Sequence, residues 1–164
     1  MSVTRLVLCG LEPGPAVALA AGAVLAGLGG QRAVRPISIG LDVPLWRLLY
    51  GSAARAPRVL DFALHDEDTA LELFDYWSEG SDLVLLTAVE PALDRWQGVP
   101  GSRAVDIAAG LDAPIVLVVD ARDHDLAVSG LLLGMHHDEV AVDDAGVDHG
   151  IALDAQHEVP VVAA

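Results

Sequence analysis

The histidines are the first residues that invite a chemical reading. His136, His137, Asp138 and Glu139 are consecutive, and His149 and His157 follow. Imidazole and carboxylate together suit divalent metals. Adjacent residues on a helix do not share a face, however, and a histidine at a helix end is ordinary capping chemistry. The histidines therefore read as solvated surface; no metal site is expected, and His136 and His137 are the residues that would supply one. Asp123 with Asp125, and Asp143 with Asp144, have the residue types for general acid–base work. Such work needs one pKa raised by burial or by a neighbour, and both pairs fall in expected loops. Cys9 is the single cysteine, so no intrachain disulfide can form. It lies in an apolar run, where a thiol is normally an inert small hydrophobe. Of the three tryptophans, Trp77 closes the apolar face of a helix and reads as core. Trp96 stands beside Arg95 in a loop. Exposed Trp and Arg are enriched in binding hot spots, so Arg95 and Trp96 are candidate ligand or partner contacts.

The elements that would position these residues alternate. Arg5–Cys9 is a short apolar strand closed by Gly10. A Gly/Pro loop follows, and Pro15 suits a first helical turn because its missing N–H costs nothing there. Residues 16–28 read as a helix of small residues stopped by Gly29-Gly30. Ala33–Ile39 is the next strand. Helices are predicted at 43–54 and 66–77, the second with Leu71, Phe74 and Trp77 as its apolar face. Asp82–Leu86 and Ala113–Asp120 are buried strands, with a loop at 89–101 and a short helix at 103–111 between them. A helix at 126–135 and a strand at 159–162 complete the order. This alternation predicts one three-layer α/β domain over residues 1–164, a mostly parallel sheet flanked by helices. Ligands in such sheets bind beyond the carboxyl ends of the strands. Asp42, Thr87 and Asp120 are candidates because they leave such ends.

The 164 residues carry a net charge of −15, and all nine basic residues are arginine. So acidic a surface repels nucleic acid and anionic lipid, and neither is an expected partner. The apolar run at 15–28 falls short of the ~20 residues of a spanning helix, and the expected location is the cytoplasm.

Several segments, in order, resemble the amino-terminal ATP-binding domain of the cobyrinic acid a,c-diamide synthases, in the P-loop group that also holds dethiobiotin synthetase and the ParA/MinD ATPases. In that family an apolar strand leads into a loop of the form GTGSGVGKTT; here Arg5–Cys9 leads into Gly-Leu-Glu-Pro-Gly-Pro-Ala-Val-Ala at 10–18. A Gly-Pro-Asp segment matches Gly40-Leu41-Asp42. The string ending Gly-Arg-Pro-Ser-Arg-Asn-Leu-Asp matches the stretch from Arg55 through Arg58 to Asp61. Asp-Leu-Val-Val-Val-Glu-Gly matches Asp82 to Ala88, and Gly-Ala-Pro-Val-Val-Leu-Val-Val-Asp-Ala matches Asp112 to Ala121. The resemblance spans roughly Val3 to Met135 and implies a P-loop-type fold.

It also implies that the family's chemistry is lost. A phosphate loop aims backbone N–H groups and a lysine at the phosphates and holds Mg²⁺ through Ser/Thr. Gly10 and Gly14 survive as loop glycines. The lysine position falls on Val17 and the metal-binding threonine on Ala18. Pro13 and Pro15 each remove a backbone donor, and Glu12 repels anions. The glutamate of the acidic-strand motif falls on Thr87; Asp42 and Asp120 remain. The family's glutaminase domain has no match in these residues. The expectation is a degenerate domain that acts by binding or by pairing with a protein, as a homodimer or with a paralogue, with no cofactor. A second expectation is a small ATP-dependent amidoligase of corrin-like cofactor biosynthesis with a rearranged site for Mg-ATP, using a cation such as Arg55 or Arg58. A third is a carrier of metal or tetrapyrrole through the histidines or Trp96.

Overall fold

The computed structural model describes residues 3–11, 15–88, 90–92, 103–120 and 161–163. Among these, the elements are β1 (Thr4–Gly10), α1 (Pro15–Leu28), β2 (Val34–Ile39), α2 (Val43–Ser52), β3 (Arg58–Leu60), α3 (Glu67–Ser78), β4 (Leu83–Ala88), α4 (Ala104–Gly110), β5 (Ile115–Val119) and β6 (Val161–Ala163). The strands form one sheet in the order β3-β2-β4-β1-β5-β6. Every described pairing is parallel. The three-layer α/β expectation holds, with β3 as an addition. Its three residues are too few to show an alternating pattern, and Pro57 ahead of them reads as a break in sequence.

The period of two along each strand divides the core. Val7 and Cys9 of β1, Val84 and Leu86 of β4, and Leu117 and Val119 of β5 point to one face, where they meet Phe74, Ile107 and Ala108 of α3 and α4. Leu8, Leu85 and Val118 point to the other, against Val17, Ala21, Leu25, Leu45 and Leu49 of α1 and α2. α1 and α2 lie close enough that a side chain at Gly22 would press on Leu48. Asp42 and Asp66 start α2 and α3 by accepting from Leu45 N (2.6 Å) and Thr69 N (2.9 Å). On α3 the buried stripe is Ala70, Phe74 and Ser78 rather than the spacing-three face expected. Leu71 is exposed, and Trp77 is partly buried against the core.

The far end of α3 is held by arginines from elsewhere in the chain. The last turn of α3 has no basic residue, although its free carbonyls favour one. Arg35, second in β2, donates from Nε to Trp77 O (2.9 Å) and from Nη1 to Ala56 O (3.1 Å). Arg55 donates to Glu79 O, Gly80 O and Ser81 Oγ. Gly80 permits the turn because its φ is +64°. An Arg55→Ala variant should lose about 1–2 kcal/mol of stability, given three partly exposed hydrogen bonds near 1 kcal/mol or less each. Urea unfolding of the two proteins would measure it; equal midpoints would show that the clamp contributes nothing.

Candidate functional site

The chain leaves β1 through α1 on one face of the sheet, and leaves β4 toward α4 on the other. β1 and β4 are neighbours, so their carboxyl ends open a crevice of the kind that receives ligands in parallel sheets. Gly10 ends β1 there. Its carbonyl accepts from Ala92 N (2.8 Å), and Leu11 N donates to Val118 O (3.2 Å). Those two bonds tie the strand exits together across the crevice.

The side chains at this end are unusual for a phosphate site. Val17 is 7% exposed and packs with Ala21 and Leu25 into the core beneath α1. Ala18 packs against the same cluster. Neither offers a charge or an oxygen. The described cations do not gather here either. Arg103, ahead of α4, is bound in a bidentate pair to Asp106, with Nε and Nη2 each 2.8 Å from an oxygen. Arg55 bonds residues 79–81, which precede β4, so it serves the opposite end of the sheet. Arg58 opens β3 with its guanidinium over the Trp77 ring, 6.0 Å from the centroid. The structure thus separates Arg55 and Arg58 from the crevice. Asp42 lies at this end but is engaged in capping α2. Asp120 directly follows β5. Gly14, Arg95, Trp96, His136 and His137 lie outside the described residues, as do the carboxylate pairs beyond 120.

Two hydroxyls stand side by side at the top of the sheet. Thr87 in β4 is level with Ser38 in β2 and with Leu8 in β1. Both hydroxyl residues are 0% exposed. Ser38 Oγ donates to Gly40 O (2.6 Å). Thr87 Oγ1 has no hydrogen-bond partner. By alternation it points to the α1 face, beside Leu8 and Leu85 rather than Val7 and Leu86. Ser38 was missed in the sequence because a lone serine inside Pro-Ile-Ser-Ile reads as strand filler; its place one residue from the strand end was the available signal. A magnesium-bound triphosphate is held by a lysine and a hydroxyl at the start of the helix after β1, and Val17 and Ala18 supply neither. The described residues do not fit a magnesium-bound triphosphate.

Cys9 lies on the other face, 0% exposed. Burial pushes its thiol from 9.0 up to about 12, so it is no nucleophile near neutral pH.

No family model matches the chain. In sequence it is 32% identical over 132 residues to hydrogenobyrinate a,c-diamide synthases of Mycobacterium bovis and Mycobacterium tuberculosis. This chain is a P-loop-type domain related to the a,c-diamide synthases. The match covers 76% of this chain and 28% of each relative, so the chain spans little more than a quarter of their length. In structure it is similar to chloroplast FtsY from Physcomitrella patens, with a TM-score of 0.52 over 83% of this chain and 46% of that one, at 13% identity. That likeness is one of fold.

In this synthase-related domain two predictions follow from burial. Thr87→Val keeps the shape and removes an orphaned hydroxyl whose desolvation costs about 1–3 kcal/mol. It should leave the melting temperature unchanged or raise it; a clear fall would show that the hydroxyl has a partner in solution. Cys9 should resist a thiol reagent in native protein and react on unfolding. Its raised pKa also sets a sign: the contribution to stability is complete below about 9 and is lost as pH rises toward about 12. A Cys9→Ala variant should therefore show less alkaline loss than the parent in unfolding at pH 8 and pH 10.5; equal losses would contradict it.

Proposed function

We propose that this chain is a catalytically degenerate a,c-diamide synthase-like domain that acts as a binding or protein-partner module and does not hydrolyse ATP. The observation that carries this reading is Val17. Where the resemblance places the phosphate-binding lysine, an aliphatic side chain is packed into the core. Reaching a phosphate from there would require a cation to leave the interior of the domain. Burying a lysine there instead would cost several kcal/mol. The neighbouring losses point the same way. Ala18 lacks a hydroxyl, Thr87 lacks a carboxylate, and Pro15 opens α1 without an N–H.

The domain keeps the architecture of its relatives while lacking the groups that would use it. A scaffold in that condition serves by presenting surfaces, either to a second copy or to a different protein. The strongly acidic composition argues against nucleic acid as that partner. No helix among the described residues is long and apolar enough to cross a membrane. We place the domain in the cytoplasm.

The amidoligase reading requires a cation to approach the crevice between β1 and β4. Arg55 and Arg58 face away from it, which favours the partner reading over that one. Calorimetric titration with Mg-ATP and with a nonhydrolysable analogue tests the choice. The expected result is no heat and no shift in melting temperature. Saturable binding in the millimolar range or tighter would overturn the degenerate reading.

A further inference from the structure

Three of the nine arginines gather at the end of the molecule opposite the crevice. Arg35, Arg55 and Arg58 surround the last turn of α3. Arg35 and Arg55 donate to main-chain carbonyls and to Ser81 Oγ. No described carboxylate pairs with any of the three; the ion pair described belongs to Arg103 and Asp106. The Arg55 and Arg58 charges are close enough to act on Arg35. Burial lowers the Arg35 pKa first, and the Arg55 and Arg58 charges lower it further. A chain with 24 acidic residues could readily neutralise such a group. Here it leaves three like charges together.

Arg58 is exposed, with its guanidinium carbon 6.0 Å from the centroid of the Trp77 ring. Arginine on an indole is preorganised, with its edge donors left free for a carboxylate fork. Trp and Arg are also the residue types that dominate binding hot spots. The chain's overall negative charge does not cancel this local field, because salt screens exposed charges beyond roughly 8 Å at physiological ionic strength.

We propose that Arg35, Arg55, Arg58 and Trp77 form a docking face for a carboxylate-rich segment of a partner protein. This rests on the partner-module reading and gives that partner a chemistry. Arg35 and Arg55 already spend several donors on carbonyls, so the three do not close around one small anion. What they offer is a cluster of three guanidinium groups, one of them exposed over an aromatic ring, beside the exposed Glu79 and Asp82; such spaced donors suit successive side chains of a peptide. Three cations are too few for the dense phosphates of nucleic acid against a body of net charge −15.

The test uses the whole chain and a fluorescein-labelled oligoglutamate peptide, followed by anisotropy at low salt. Binding should saturate and weaken as salt is added. Arg58→Glu should weaken it by roughly tenfold or more, as expected for reversing a rim charge at a complementary interface. Arg58→Gln, which keeps a neutral side chain, should give a smaller loss in the same direction. Arg47→Glu on α2, across the sheet from α3, should weaken it far less. The proposal fails if the peptide does not bind. It fails if the Arg47 and Arg58 reversals act equally. It also fails if inorganic pyrophosphate or an oligothymidylate binds in preference to the peptide. Nucleotide binding in calorimetry would sink the degenerate reading and leave this titration untouched; absence of peptide binding sinks only the docking face.

Discussion

The fixed point of this domain is the aliphatic stripe Val17, Ala21 and Leu25 that holds α1 on the sheet. The residues recur at spacing four, so they occupy one side of the helix. They meet Leu8, Leu85 and Val118 from three adjacent strands. Burying side chains of this size contributes roughly 1.5–3 kcal/mol each for the larger ones. The stripe begins two residues inside the helix. That is where a phosphate-binding relative would need a charged side chain directed at a ligand. One position cannot serve the core and a phosphate together. Here it serves the core, and the neighbouring positions are consistent with that choice.

The consequence reaches the top of the sheet. Most polar side chains at the carboxyl ends have local partners. Asp42 caps α2, Ser38 bonds Gly40 O, and Arg103 is paired with Asp106. Thr87 alone among these keeps an orphaned group. The strand exits beside the crevice are tied by backbone bonds from Ala92 to Gly10 and from Leu11 to Val118. Those bonds use main-chain groups that need no particular side chain. The fold therefore does not depend on which side chains stand at the strand ends, as expected when fold and site are separable.

Much of this was legible in the sequence because the strands are apolar on both faces. β1, β4 and β5 read as continuous runs of Val, Leu and Ile, the pattern of a buried parallel sheet. The caps at Asp42 and Asp66 come from the structure: in the sequence Asp42 reads as a strand-end ligand candidate and Asp66 as the first residue of its helix. β3 was not legible, since three residues beside a proline have no period to detect. The face of α3 was misjudged because Leu71, Phe74 and Trp77 fit a spacing of three while the true stripe uses Ala70 and Ser78, small residues that a hydrophobic pattern undervalues. Arg55 and Arg58 show a deeper limit. Their matching to a family string is linear, but whether a cation serves a crevice depends on which end of the sheet it reaches. That is fixed by α3 returning its carboxyl end to the start of β4, a property of the topology rather than of any short motif.

The same topology gives the molecule two unlike poles. In a parallel sheet with antiparallel helices, one pole collects strand ends and helix starts, and the other collects helix ends. Helix starts favour anions and helix ends favour cations. A nucleotide-binding relative spends its cations against that preference, placing lysine beside a helix start because a phosphate lies between them. With Val17 and Ala18 at the start of α1, the described residues place no cation on that helix start. The helix end of α3, with no base of its own, still attracts one. Arg35 and Arg55 sit where the backbone field stabilises them, and Arg58 is added over Trp77 with no ion pair to a carboxylate among the described residues. Two of the three arginines are thus explained by the helix they cap. The third is not, and its exposure on an aromatic support is what separates a surface suited to a partner from a helix cap alone.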